Sequence, residues 1–365
     1  MTEISLRALN RTLLLRQHLL ERTDMPAADL IRHLVAVQGQ EPNWPYVGLW
    51  TRLAAFRHED LAALLAARTV VRATMIRRTV HLAAAEDFRW MYPTVRPVPG
   101  SALQAAYYRE AVDGVNPDEL ATAGTELLTG RTLQRAELGK RLAETFPTDH
   151  PSRLAYALGV MLPLIHDAAA GTWGGWRNRR VAVSLAEDWI GAPVLETPQP
   201  ETLILRYLAA YGPATVADVQ NWSGTTRLAE VMQRLRLRLR VLRDQSGREL
   251  FDLPDAPLAD PDLPAPVRFL PAFDNSALGH QDRRRIISDA DRARITKIAS
   301  AGVPMYLVDG FVHGRWDLDG STMHITPWHP LSPADELAVV SEAERLLPMI
   351  VTGEDGKVVI GPVVE

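Results

Sequence analysis

Between residues 200 and 253 the apolar pattern changes period once, and that change leaves the chain few architectures. Residues 200–211, PETLILRYLAAY, carry apolar side chains at helical spacing behind a proline suited to a first turn. Residues 212–222, GPATVADVQNW, start a second helix with Thr215 as its cap, and residues 227–236 make a third. The period then drops to two, and RLRVLRD pairs with RELFDL as a hairpin across Gly247. Elements this short bury an apolar face only against one another. Three helices followed by a hairpin predict a winged helix, a helix-turn-helix with a β wing.

The same order occurs twice upstream. Residues 6–20 and 27–38 read as helices, the second opened by Pro26 after Asp24. Pro42 and Pro45 interrupt, a third helix carries Val47, Leu49, Trp50 and Leu53, and a fourth covers residues 60–67. VVRATM and RTVHLA then alternate as strands. Helices over residues 117–128, 133–145 and 152–161 precede MLPLIHDAA and RVAVSLA, paired about the Trp173-Gly174-Gly175-Trp176 turn. Residue-level likeness between the units is weak, so the repeat rests on element order. After the Pro- and Asp-rich residues 253–266, VRFLPAFDN, VPMYLVDGFVHGRWDLD and STMHITPW alternate as strands. A helix over 333–347 and a last hairpin, MIVTG with KVVIG, close the chain. The reading is an α+β protein: winged helices at 1–100, 101–195 and 196–255, in a C-shaped arrangement, with a β-rich, barrel-like module at 265–365.

Charge decides the partner. A net charge of -4 argues against DNA until its distribution is considered. Only Lys140, Lys297 and Lys357 are lysine, so 37 of the 40 basic residues are arginine, whose planar fork suits phosphates. A GC-rich genome inflates arginine but does not explain clusters. Arg227, Arg234, Arg236, Arg238, Arg240 and Arg243 stand against one acid, Glu230, with further clusters at 177–180 and 283–285. The acids collect at 244–262 and 335–344, as expected when one face is basic. The absence of cysteine excludes disulfides, thiol nucleophiles and thiolate metal sites. His313, His324 and His329 lack ligand spacing, so neither metal nor cofactor is expected. No apolar run approaches the ~18 residues of a membrane span, and the N-terminus does not read as a secretory signal. A cytoplasmic, nucleoid-associated monomer follows.

VQGQEPNWPYVGLW (37–50), RTVHL (78–82), FLPAFDNSALGHQDRRRII (269–287) and VDGFVHGRW (308–316) together resemble the winged-helix DNA glycosylases of the AlkZ and AlkX (YcaQ-like) family, in the same order over nearly the whole chain. The resemblance implies excision of N7-alkylated purines or unhooking of interstrand crosslinks in double-stranded DNA. The family's active-site motif is Gln, an apolar residue, then Gln in the AlkZ-like branch or Asp in the other. Gln38, Gly39 and Gln40 match the double-Gln branch, with Gly39 departing from the usual side chain. That branch includes enzymes protecting producers of DNA-alkylating natural products, so the resemblance implies self-resistance, for example to azinomycin, ahead of general repair.

On the residues alone, Gln38 and Gln40 end a helix as two solvated amides; the resemblance makes them catalytic. An N7-alkylguanine is cationic and leaves without a general acid, so the site must hold a water and stabilise an oxocarbenium-like sugar, which glutamine carbonyls do. His81, with Arg77 and Arg78 beside it, either faces the DNA or is a buried strand histidine. Asp274, Asn275 and His280 either approach the lesion or make turns. Arg283, Arg284 and Arg285 are expected on phosphates. The alternative from another class is a winged-helix transcription regulator, which would prefer one operator sequence and dimerise at half-site spacing.

Overall fold

The computed structural model describes residues 2–96, 106–175, 180–298, 302–353 and 355–364. Trp176, Arg177 and Arg179 of the expected turn and basic cluster lie outside them. Helices and three separate sheets make an α+β architecture. The strands are β1 (Thr2–Ile4), β2 (Val37–Gln38), β3 (Val70–Thr74), β4 (Val80–Ala84), β5 (Leu133–Gln134), β6 (Leu164–His166), β7 (Ala182–Leu185), β8 (Arg240–Asp244), β9 (Glu249–Asp252), β10 (Arg268–Leu270), β11 (Met305–Val308), β12 (Phe311–Asp319), β13 (Thr322–Pro327) and β14 (Lys357–Ile360).

Over residues 200–252 three helices precede an antiparallel hairpin. Pro200–Tyr211 buries Leu203, Ile204, Tyr207 and Leu208. Val216–Ser223 opens with a capping box, Thr215 accepting from the Asp218 N–H while the Asp218 carboxylate accepts from that of Thr215. Ala229–Leu235 follows, and β8 pairs antiparallel with β9. The N-terminal β1 joins this sheet in parallel, Thr2 opposite Leu242, a pairing between distant segments that no local pattern announces.

The hairpins of the first two units merge. Their six strands run β2-β4-β3-β6-β7-β5, and the seam is the antiparallel pair β3–β6, with Arg72 opposite His166 and Ala73 opposite Ile165. Each side of the seam has its own core. Leu120, Leu138, Leu154 and Leu158 fill one below residues 108–185. Phe88, Trp222 and Leu270 tie the first unit to the third and to the C-terminal module. Tyr46, Phe269, Trp316 and Leu346 form another core between the first unit and that module. Each buried side chain of this size contributes about 1.5–3 kcal/mol, so Leu158→Ala should loosen the second unit.

Four expectations are corrected. The helix predicted over 27–38 ends at His33, because Val35 turns left-handed (φ 67°) and the next residues become the edge strand β2 on β4. The predicted final hairpin does not form: Met349 and Ile350 are buried in the last turn of helix Pro333–Ile350, and β14 pairs in parallel with β13. The C-terminal sheet is not a closed barrel, since its order β10-β11-β12-β13-β14 leaves both edges unpaired and helix Pro333–Ile350 packs on both edge strands instead. The first helix is also shorter, Leu6–Arg16.

Candidate functional site

Strand β2 fixes the glutamines. Gln38 lies opposite His81 and the Gly39 N–H donates to the Val80 carbonyl, so the chain follows β4 through Gly39 and bends at Gln40. A Cβ on Gly39 would sit 2.6 Å from Leu82 Cδ1, so the Leu82 side chain occupies the room that a side chain at 39 would need. Gln38 is buried and its Oε1 accepts from the Gln40 N–H; the Oε1 of exposed Gln40 accepts from the Val80 N–H at 3.2 Å. Each carbonyl is thereby oriented by a backbone donor and keeps a second lone pair. The two side chains border different spaces: Gln38 a narrow recess with Arg52, Tyr211, Asp274 and Asn275, and Gln40 a cavity of about 620 Å³ at the β3–β6 seam.

The C-terminal module holds this strand from behind. Asn275 donates to the Ala36 carbonyl at 3.0 Å, just before β2, and accepts from Arg77 Nη2 at 2.9 Å. Arg77 also donates to the Trp222 carbonyl, so one side chain ties the β3–β4 turn to the third unit. That docking is close. Gly224, at φ 74°, would drive a Cβ to 2.9 Å from Arg77 Cα, and Arg77 and Arg78 are themselves left-handed at φ 53° and 60°. Two consecutive non-glycine residues in this region store strain that the surrounding contacts maintain. Burial pulls the Arg77 guanidinium down to about 10. Asp274 is paired in bidentate fashion with Arg52 at 2.8 and 2.9 Å and caps the following turn by accepting from the Ser276 N–H. Although burial opposes its ionisation, Arg52 and Ser276 hold its carboxyl below the usual range.

Several residues expected on DNA are therefore placed inside. His81 is fully buried, its Nδ1 donating to the Thr79 carbonyl, and burial with Arg77 pushes it down to about 3, so it is neutral. His280 donates to the Tyr211 carbonyl and is pushed to about 3 by burial and Arg285. Arg285 is buried against the Pro213 carbonyl, Arg284 is exposed but bound to Asp282, and Arg283 is half-buried beside a 210 Å³ cavity. Asp274, Asn275, His280 and Arg285 thus face protein, not solvent. Arg78 is exposed at the 620 Å³ cavity, with no side-chain partner among the described residues. In the 227–243 cluster Arg236 is paired with Glu249 and Arg240 with Asp252, which removes part of the expected field.

Three residues at the seam escaped sequence reading: Arg72, Arg135 and His166. Arg72 donates to the carbonyls of Gly39 (3.1 Å) and Gln40 (3.2 Å), so it positions the motif directly. Its signal was a lone charge in the apolar strand VVRAT.

A family model described as DNA glycosylase AlkZ-like matches residues 31–349. An interstrand DNA cross-link repair glycosylase from Streptomyces sahachiroi is 26% identical over 348 residues, covering 91% of this chain and 92% of the relative. Among solved structures, the DNA glycosylase AlkZ of Streptomyces sahachiroi superposes with a TM-score of 0.79 at 25% identity, over 99% of this chain and 100% of that one.

Proposed function

The chain belongs to the AlkZ-like DNA glycosylase family, and from that premise we propose that it is a monofunctional glycosylase that hydrolyses the N-glycosidic bond of N7-alkylated purines in duplex DNA, bulky adducts and interstrand crosslinks included. The observation that carries this reading is the segment 38–40 beside β4: the Gln40 carbonyl, oriented by the Val80 N–H, lines the arginine-bearing cavity, and the Gln38 carbonyl, in the neighbouring recess, accepts from the Gln40 N–H and fixes it. The cationic purine departs as a neutral base, and the developing positive charge on the sugar meets fixed carbonyl dipoles that need no reorganisation. A water held by the Gln40 oxygen adds to the anomeric carbon after the bond has largely broken and releases its proton to bulk water.

In this reading the three helix-and-hairpin units, 1–100, 101–195 and 196–255, are winged helices that grip the duplex as a monomer. The module at 265–365 braces β2 through Asn275. Among the described residues no helix is long and apolar enough to cross a membrane, in keeping with a cytoplasmic enzyme at the nucleoid. The relative described as an interstrand DNA cross-link repair glycosylase supports crosslinks among the substrates, and the role proposed for that activity is self-resistance to an alkylating natural product. The test is incubation with duplex carrying N7-methylguanine, then alkaline cleavage of abasic sites. Strand breaks at the lesion support the reading. Uracil, a neutral lesion, should be left in place; excision of uracil, or none of N7-methylguanine, overturns it.

A further inference from the structure

The cavity at the β3–β6 seam is lined by three arginines, Arg72, Arg78 and Arg135, and among its described lining residues by one carboxylate, Glu41, so positive charge is in excess. Arg72 and His166, opposite each other across the seam, each keep only 5% of their surface exposed. Arg72 Nη1 lies 2.7 Å from His166 Nδ1, and Arg135 Nη2 lies 2.8 Å from His166 Nε2. A neutral imidazole accepts at one nitrogen only. Burial and the two arginines keep His166 neutral, so one guanidinium faces a ring N–H and has a donor unmet. Arg135, half-buried and stacked on Tyr156 with its carbon 4.6 Å from the ring centre, is the one free to turn. Arg78 enters from the strained turn. Among the described residues none of Arg72, Arg78 and Arg135 has a carboxylate within ion-pair distance, and Glu41 and Asp167 act on Arg72 only through space. Burial and Arg135 pull Arg72 down to about 10, and a bound anion would oppose both effects.

We propose that this cavity is a phosphate site, in which Arg135 and Arg78 clasp one backbone phosphate of the lesion-bearing strand against Arg72. Arg72 holds the Gly39 and Gln40 carbonyls, so the clasped phosphate sets the strand in register with Gln40. The identity of the strand rests on the glycosylase reading; the anion site does not. Arg72 and His166 are positioning residues here.

The experiment scans methylphosphonate linkages, which are uncharged, through a duplex containing one N7-methylguanine. Anisotropy reads the affinity of wild type, Arg135→Ala and Arg78→Ala. Both residues are at least partly exposed, and melting curves establish that the variants fold. In the wild type, one linkage beside the lesion should weaken binding about tenfold, the worth of a charge-assisted hydrogen bond. Arg135→Ala and Arg78→Ala should each lose that sensitivity at the same linkage and no other, and each should flatten the salt slope by about 0.9. Arg135→Lys should retain part of it. Additive losses at every linkage overturn the proposal. So does a loss that appears only when methyl is replaced by a bulky adduct, which would give the cavity to the adduct. Excision is followed in parallel: no excision by the wild type removes the glycosylase reading while the phosphate result stands.

Discussion

Asp274→Asn removes one charge from a pair almost sealed from water. The Arg52 and Asp274 side chains are 3% and 5% exposed and meet at 2.8 Å. Asn keeps the oxygen that caps Ser276, so the change isolates the charge. Removing one partner of a buried pair costs about 3–5 kcal/mol because the other charge stays buried. Arg52 retains the Gly48 carbonyl at 2.8 Å and Gln17 at 3.4 Å, which favours the lower figure. In urea, with tryptophan fluorescence as the probe, a loss of about 3 kcal/mol moves the midpoint down by ~1 M at an m of ~3 kcal/mol/M. DNA affinity of the folded variant should change less than about twofold. An unmoved midpoint with affinity lowered about tenfold would refute the reasoning and return Asp274 to the DNA face.

Gly39→Ala forces a Cβ to 2.6 Å from Leu82 Cδ1, an overpacking of about 1–3 kcal/mol; excision should fall, and adding Leu82→Ala should restore much of it. His81 and His280 are held near 3 in the folded state but titrate near 6.5 once unfolded. Below pH 6.5 the unfolded chain therefore takes up protons that the folded chain refuses. Stability should fall by about 2 kcal/mol per histidine at pH 5, read as urea midpoints at pH 7.5 and 5. His280→Gln, which keeps a donor toward the Tyr211 carbonyl, should reduce the difference. Arg284→Ala should flatten the salt dependence of DNA binding less than Arg78→Ala does, because Asp282 already neutralises Arg284.

The helices Pro117–Leu128 and Pro200–Tyr211 were legible because a first-turn proline and apolar spacing lie within one segment. The pairings that were missed join segments far apart. The β1–β8 and β13–β14 pairs depend on backbone edges that sequence periodicity does not display. Gln38 and Gln40 were found through the family motif, while their local structure was misplaced: apolar residues 34–37 continue a helical pattern, and only the edge of β4 draws them out as strand. The buried Asp274, His280 and Arg285 were read as DNA contacts because sequence shows a charge but not its partner. Arg72 was overlooked for the opposite reason. A lone arginine in a strand carries no motif, and its role comes entirely from what lies across the seam.

Single-turnover excision of N7-methylguanine by the wild type, Gln38→Ala and Gln40→Ala, with DNA affinity measured on the same preparations, tests the central claim most directly. If the Gln40 carbonyl stabilises the sugar cation and holds its water while Gln38 fixes Gln40 in place, each variant should be slowed by on the order of 10- to 1000-fold with affinity nearly unchanged. The double variant should lose less than the product of the two, since the Gln38 carbonyl acts by holding the Gln40 N–H. Excision at the wild-type rate by both single variants would contradict the claim and move the active site elsewhere.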